Sequence, residues 1–214
     1  MSNNSVELQS IYISFRKEKI LENAFLSIGS NTFVSLLGPS GSGKTTLLRA
    51  IAGFIPIDHG TIHLLDNNHT NSLPEHRPIS MLFQDPVLFP HFSVIRNATV
   101  GLTSKSISKN IDYELNRLVQ YFRLNEHKNR KINSNLSGGE KQRAALLRTF
   151  ANAKNILLLD EPLKSALNVE LRWYLMRSIK KLGREYGRTT ILVTHDFEEA
   201  AYLSDEIVVI VDNK

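Results

Sequence analysis

One short segment of the sequence has the residue types needed to bind a phosphate group. Residues 38–45 read Gly-Pro-Ser-Gly-Ser-Gly-Lys-Thr and fit the pattern G-x-x-x-x-G-K-[ST]. Glycines in this pattern let consecutive backbone N–H groups curl around a phosphate, and the start of the next helix adds partial positive charge. Lys44 would reach the β- and γ-phosphates, and the hydroxyl group of Thr45 would ligate Mg²⁺. The segment therefore predicts a nucleotide-binding loop.

A pair of acidic residues supplies the chemistry that this loop lacks. Asp160 and Glu161 directly follow the apolar run 156–159, which has the pattern of a buried strand. An aspartate in this place can hold the magnesium shell, and the adjacent glutamate can orient and deprotonate an attacking water molecule. Two acids can also simply end a strand, but a phosphate loop in the same chain favours the catalytic interpretation.

The elements around both motifs predict an α/β fold. Residues 32–37, 156–159 and 190–193 are short apolar runs typical of buried strands, and helical patterns such as 46–52 and 170–182 follow them. Strands that alternate with helices indicate a mostly parallel sheet.

The middle of the chain has a different pattern. It has few strand-like runs and a helical periodicity, for example at residues 111–121 with Leu115 and Leu118. We therefore predict one domain over residues 1–214, in which residues 1–92 and 152–214 form the α/β core and residues 93–151 form an inserted helical subdomain.

Composition limits the other functions that the chain could have. The 214 residues are 42% hydrophobic, include no cysteine, and carry 26 basic and 21 acidic side chains without a long basic tract. The longest apolar runs have about five residues, against the roughly 20 of a membrane-spanning helix. The N-terminus shows no secretory signal pattern. We expect no nucleic-acid partner, no disulfide and no membrane-spanning segment, and the lack of cysteine suits the cytoplasm.

A second glycine-containing segment carries a family resemblance. Residues 136–143 read Leu-Ser-Gly-Gly-Glu-Lys-Gln-Arg and resemble the LSGGQ signature of the ABC (ATP-binding cassette) ATPase family, with Glu140 in the last position. A serine cap and two glycines that open a helix make an anion site, as in the phosphate loop. In the family, the signature of one subunit covers the ATP held by the other in a head-to-tail dimer.

Three further residues match the family in order along the chain. Phe15 resembles the aromatic residue that stacks on adenine, although a phenylalanine is more often buried in a core. Gln84 resembles the Q-loop glutamine that touches Mg²⁺ and links to the membrane partner. His195 resembles the switch histidine that contacts the γ-phosphate, whereas a lone histidine after a strand is more often structural.

The resemblance implies a P-loop NTPase (RecA-like) core, an N-terminal antiparallel β part and an inserted helical subdomain, with ATP and Mg²⁺ as cofactors. The implied catalytic residues are Glu161, His195 and Gln84, and the implied metal ligands are Thr45, Gln84 and Asp160. The implied nucleotide-binding residues are Phe15, Gly38, Pro39, Ser40, Gly41, Ser42, Gly43, Lys44, Thr45, Thr46, Ser137, Gly138 and Gly139.

The loop after the acidic pair departs from the family. It reads Glu-Pro-Leu-Lys-Ser-Ala-Leu-Asn over residues 161–168, where the family has Glu-Pro-x-Ser-x-Leu-Asp. Lys164 is therefore inserted, and Asn168 replaces an aspartate. Since this loop lies at the dimer interface in the family, we expect a change in turnover or in coupling between sites. The printed sequence ends at Lys214, so we also expect no C-terminal regulatory domain.

The resemblance implies the ATP-hydrolysing subunit of a transporter. Residues 83–91 and 197–201 are similar to those of importers for small solutes, metals or oxyanions. The implied partners are a second cassette (homodimer or paired cassette), integral membrane permease subunits and an extracytoplasmic solute-binding protein. The implied location is peripheral, on the cytoplasmic face of the cell membrane. Two alternatives are a soluble ABC ATPase that acts on ribosomes or DNA, and an ATP-binding regulator with low turnover.

Overall fold

A computed structural model describes residues 4–16, 18–102, 111–133, 136–166 and 168–211. Contacts divide the described chain into two units. The first unit comprises the described residues of Met1–Met81, Lys154–Asp160 and Lys180–Lys214. The second comprises those of Leu82–Ala153 and Glu161–Ile179.

The first unit begins with an antiparallel sheet of four strands in the order β2-β1-β4-β5. Val6, Leu8, Ile11 and Ile13 of the first strand are buried. Their alternation skips one position at Ser10, where φ is 51° and the register with the second strand shifts. This irregularity keeps the apolar side chains on one face of the sheet. The strands are β1 Asn4–Phe15, β2 Glu18–Gly29, β4 His59–Leu64 and β5 Asn67–Asn68.

A second sheet has five strands in the order β6-β7-β8-β3-β9. The pairs β3 with β8, β3 with β9, and β7 with β8 are parallel. Strand β7 is buried along its whole length, as expected for a parallel sheet that is covered on both faces. The strands are β3 Phe33–Leu37, β6 Ile79–Leu82, β7 Ile156–Asp160, β8 Thr189–Thr194 and β9 Glu206–Val209.

Two helices follow strands of the parallel sheet within the first unit. Helix α1, Lys44–Ala52, follows β3, and helix α6, Phe197–Leu203, follows β8. The predicted α/β fold class, with a parallel sheet and an antiparallel β part, is confirmed. A single turn of 3₁₀ helix lies at Pro74–His76.

Helices form most of the second unit. They are α2 Val94–Thr99, α3 Ile111–Tyr121, α4 Gly138–Ala151 and the first part of α5, Val169–Glu185. The predicted helix at residues 111–121 is confirmed. The helical segment predicted at residues 93–151 falls inside this unit, which also includes residues 82–92 and 161–179. The division into domains stays a prediction.

No helix among the described residues is both long enough and apolar enough to cross a membrane.

Candidate functional site

The loop between β3 and α1 has the backbone geometry of a phosphate cradle. At Gly38 a Cβ atom would lie 2.4 Å from the carbonyl oxygen of Ile210, so only glycine fits there. Gly43 has φ of 90°, which a residue with a side chain rarely adopts, and its carbonyl accepts the first helical hydrogen bond from Leu47 N–H at 2.8 Å. The two glycines therefore allow the chain to turn tightly from the strand into the helix. The first N–H groups of α1 lack partners within the helix, as a phosphate site requires.

Lys44, the first residue of α1, is buried in this loop. Its Nζ donates to the carbonyl oxygens of Gly38 at 2.9 Å and Pro39 at 2.6 Å, and to Oγ of Ser42 at 3.3 Å. These contacts hold the ammonium charge against the loop that is expected to surround the phosphates. This position of the Lys44 side chain is consistent with its predicted contact with the β- and γ-phosphates.

Two of the predicted metal ligands meet in the first unit. The hydroxyl of Thr45 donates to Oδ1 of Asp160 at 3.0 Å, across 115 residues of sequence. Asp160 is fully buried at the carboxyl end of β7. A hydroxyl and a carboxylate oxygen side by side are the kind of ligands that Mg²⁺ takes in nucleotide sites. The residues present therefore fit this ion.

His195 lies at the same edge of the parallel sheet. It is exposed and follows the last residue of β8, the strand between β7 and β3. The next residue, Asp196, caps α6 by accepting from the N–H groups of Glu198 at 2.8 Å and Glu199 at 3.1 Å. Thr194 donates to the buried carboxylate of Glu199 at 2.7 Å. These bonds hold the backbone on both sides of His195.

Phe15 ends strand β1 and is 65% exposed, so the alternative that it is a core residue is wrong. The guanidinium of Arg16 lies 5.4 Å from the centre of its ring. An exposed ring can stack on a planar base, and the predicted adenine contact stays a prediction.

In the second unit, the predicted base Glu161 contacts the candidate Gln84 and the inserted residue Lys164. Gln84 Nε2 donates to Oε2 of Glu161 at 2.9 Å, and Lys164 Nζ lies 3.5 Å from the same oxygen. Glu161 has φ of 45°, an uncommon backbone conformation for a residue with a side chain. The predicted contact of Gln84 with Mg²⁺ stays a prediction.

The signature segment opens α4 with a complete capping box. Glu140 N–H donates to Oγ of Ser137 at 3.2 Å, and Ser137 N–H donates to Oε2 of Glu140 at 2.7 Å. This backbone hydrogen bond is the main reason why the pKa of Glu140 lies below its ordinary value, against a weaker opposing effect of burial. Nε2 of His127 lies 3.2 Å from the other oxygen of Glu140. The acidic residue in the last signature position thus stabilises the helix start.

The glycines of the signature leave this helix start open. At Gly138, apart from its two chain neighbours and the backbone of its own helix, no atom of the described residues lies within 4 Å of the place that a Cβ would take. At Gly139 the nearest atom to that place is the carbonyl oxygen of Ser165, at 3.4 Å. An anion can therefore approach the backbone at the start of α4 closely, as the predicted anion site requires.

The sequence analysis missed Arg77, which supports the helix of the phosphate loop. Its buried guanidinium donates to the carbonyl oxygens of Ala50 at 2.9 Å and Ile51 at 2.7 Å, at the end of α1, and to those of Ser72 and Thr70. Burial lowers the pKa of Arg77. An isolated arginine before a proline carries no sequence pattern that predicts such a role.

Comparisons with known proteins agree with this geometry. The sequence profile of the ABC transporter family matches residues 21–164. The spermidine/putrescine import ATP-binding protein PotA of Marinobacter nauticus is 42% identical over 213 residues, which cover 99% of this chain and 57% of that protein. The PotA of Thermotoga maritima is 42% identical over 208 residues, covering 97% and 56% respectively. The chain thus spans somewhat more than half of the length of these relatives.

Solved structures give the same fold. The dimeric, post-hydrolysis structure of the ATP-binding cassette MJ0796, bound to ADP and Pi, superimposes with a TM-score of 0.84 at 29% identity. The match covers 96% of this chain and 94% of that one. A second dimeric structure of MJ0796, titled a bacterial ABC transporter cassette, has the same TM-score at 28% identity. Since the family profile spans the phosphate loop, the signature helix and the acidic pair, this chain belongs to the ABC transporter family.

Proposed function

We propose that this chain binds and hydrolyses ATP as the motor subunit of an ABC importer. The observation that carries the proposal is the contact of Thr45 with Asp160 beside the phosphate loop, with Glu161 next in the chain. A loop that binds phosphates, a pair of metal-ligating oxygens and a carboxylate base are the parts that hydrolysis of a nucleoside triphosphate needs.

Binding of ATP falls to residues of the first unit. Lys44 and the N–H groups of the loop would hold the β- and γ-phosphates, and the ring of Phe15 would stack on adenine. Thr45 and Asp160 would hold Mg²⁺, which supplies positive charge against the phosphate oxygens. His195 would contact the γ-phosphate. Since most of these contacts act on the phosphates, we expect affinity to fall steeply when the γ- and β-phosphates are removed.

Hydrolysis needs a group that takes a proton from water, and Glu161 fits this role. The carboxylate accepts the proton while the water oxygen forms a bond to the γ-phosphorus. The bond from that phosphorus to the β–γ bridging oxygen breaks, and ADP and phosphate leave. The hydrogen bond from Gln84 orients the carboxylate. Gln84 follows β6, in the segment that resembles the family's link to membrane subunits. A movement of this segment caused by a partner would therefore change the position of the Glu161 carboxylate.

Two copies of the chain would form the active assembly. The open start of α4 at Ser137, Gly138 and Gly139 would cover the ATP that the other copy holds. Two observations support this arrangement: the capping box presents the helix start, and both MJ0796 structures are titled dimeric. The names of the relatives support import as the direction. Permease subunits, a solute-binding protein and a place on the cytoplasmic face of the membrane complete the proposal.

A low-turnover ATP-binding regulator is the second candidate, since a lysine lies against the proposed base. A soluble ATPase of ribosomes or DNA is not favoured by the relatives reported above, whose names are those of import proteins.

The test is a steady-state ATPase assay of the purified protein, alone and with its membrane subunits. We expect a basal rate that rises with the membrane subunits present. ATP binding without hydrolysis under both conditions would favour the regulator and contradict the motor role.

A further inference from the structure

The loop that carries the base Glu161 folds into a tight turn, and this turn decides where the inserted residue lies. The N–H of Lys164 donates to the carbonyl of Glu161 at 3.3 Å, and the N–H of Ala166 donates to that of Leu163 at 2.9 Å. Bonds over three residues bring side chains at positions i and i+3 to the same side of the chain. The side chain of the inserted residue Lys164 therefore lies on the same side of the chain as the carboxylate of Glu161.

In this position the ammonium group of Lys164 contacts the carboxylate of Glu161. Its Nζ lies 3.5 Å from Oε2 of Glu161, the oxygen that also accepts from Gln84. The carboxylate of Glu161 is 17% exposed and the Lys164 side chain is 53% exposed. The carboxylate of Glu161 is thus mostly shielded from solvent, whereas the ammonium group of Lys164 can move away into solvent at little cost in free energy.

We infer that Lys164 is a positioning residue that restrains Glu161 and slows ATP hydrolysis. This inference rests on the proposed function. Nζ of Lys164 and Nε2 of Gln84 both contact Oε2 of Glu161, so the protein already holds this oxygen before a water molecule reaches it. The water must displace the lysine to use that oxygen. A contact that is made in the ground state and given up in the transition state raises the barrier to reaction.

The loop is also held at its other contacts, so a change at Lys164 stays local. Gln142 Nε2 donates to the carbonyl of Pro162 at 3.3 Å, and Leu163 is buried. Replacing an exposed side chain between these anchors leaves them in place. Lys164→Gln therefore removes the positive charge beside the base and keeps the loop.

Steady-state ATPase rates of the full protein test the effect on catalysis. We expect Lys164→Gln to raise kcat about two- to five-fold without changing KM, because exposed ion pairs are worth little individually. Lys164→Arg keeps the positive charge and is expected to keep the rate of the unchanged protein. Arg184→Gln, which breaks the exposed ion pair with Asp205, is the matched control and should change nothing. An unchanged or lower kcat in Lys164→Gln would overturn the inference, as would equal rates in the glutamine and arginine variants.

A double-mutant cycle tests the ion pair without nucleotide. Unfolding by denaturant is measured for the unchanged protein, Glu161→Gln, Lys164→Gln and the double variant, at low salt and at about 0.5 M salt. We expect the two changes to be coupled by a factor of about two to five in the unfolding constant at low salt, and less at high salt. No coupling at low salt would overturn the inference. A protein that hydrolyses no ATP would contradict the proposed function instead, and the cycle would still decide whether Lys164 holds Glu161.

Discussion

The side-chain amide of Gln84 donates a 2.9 Å hydrogen bond to the carboxylate of Glu161, although 77 residues separate them. Both residues belong to the second unit. The residue expected to face a membrane partner thus touches the expected base directly. A shift of the segment that follows β6 would therefore move the carboxylate of Glu161, which is a direct physical route from a partner to catalysis.

Removing the proposed base Glu161 is expected to stop hydrolysis and spare ATP binding. Glu161→Gln keeps the size and one acceptor oxygen but cannot take up a proton, so turnover should fall by about 10²- to 10⁴-fold. The variant should then form an ATP-dependent dimer, visible by gel filtration. Glu75→Gln, at an exposed carboxylate in the 3₁₀ turn, is the control and should hydrolyse ATP normally. Substantial remaining hydrolysis in Glu161→Gln would place the base elsewhere.

Changes in the two predicted phosphate sites should have different effects. Lys44→Ala should weaken ATP binding in the monomer, because it removes the charge held against the phosphate loop. Ser137→Arg should leave monomer binding intact and block turnover, by crowding the open start of α4. Titration with a fluorescent ATP analogue and steady-state ATPase rates separate the two effects.

A mixture of Lys44→Ala and Ser137→Arg can contain one intact composite site, so partial activity is expected to return. Each variant alone serves as the control. If the mixture shows no activity, the pairing of sites between subunits is not supported.

Asn168 is expected to limit both stability and turnover modestly. Its Oδ1 accepts from Leu171 N–H at 3.0 Å, so it caps α5. Asn168→Asp keeps this acceptor and adds negative charge at the helix start, which should stabilise the fold by about 0.3–1 kcal/mol. We also expect a several-fold rise in turnover at unchanged ATP affinity, and a larger rise when Lys164 is deleted as well. Denaturant unfolding and ATPase rates at saturating Mg-ATP measure both. A fall in turnover in both variants would contradict the prediction.

The stability that Glu140 contributes should depend on pH. Its pKa is lowered from the ordinary 4.5 in the folded protein, chiefly by the hydrogen bond from Ser137 N–H. The carboxylate therefore contributes stability above pH 4.5, and this contribution is lost as pH falls through the lowered pKa. We expect Glu140→Gln to be less stable by about 0.5–1 kcal/mol at pH 7 and no different below the lowered pKa. Unfolding curves measured at pH 7 and at a series of lower pH values that passes through the lowered pKa test this. A difference that does not change with pH would contradict it.

Loss of Arg77 should loosen the end of the phosphate-loop helix. Arg77→Ala removes the buried donor to the carbonyls of Ala50 and Ile51, although that of Ala50 still accepts from Gly53 N–H at 3.0 Å, so we expect a loss of about 1–3 kcal/mol of stability. Arg77→Lys keeps the charge but cannot reproduce the planar set of donors, and should lose less. Thermal unfolding of both variants, without nucleotide, gives the comparison. Equal stability of Arg77→Ala and the unchanged protein would show that these bonds contribute nothing net.

Sequence was sufficient for the parts of the candidate site that lie at strand ends. A strand buried on both faces reads as a continuous apolar run, so the runs before residues 38 and 160 could be recognised. The carboxyl ends of parallel strands meet at one edge of a sheet, which places Thr45 near Asp160 as observed. Phe15 could not be resolved in this way, because a single aromatic residue is compatible with a core or an exposed site. Its exposure was decided by its place at the end of β1.

The sequence by itself determined the family, the fold class and the residues of the phosphate loop, since each depends on local patterns of glycine, charge and apolar periodicity. Only the tertiary structure decided that Gln84 donates a hydrogen bond to Glu161, that Lys164 contacts the same carboxylate, and that Arg77 donates to the end of α1. Such contacts depend on turn geometry and on chain segments far apart in sequence. Hydrogen bonds and ion pairs act over a few ångströms, so the residues that make them cannot be identified until the backbone has placed them within that distance.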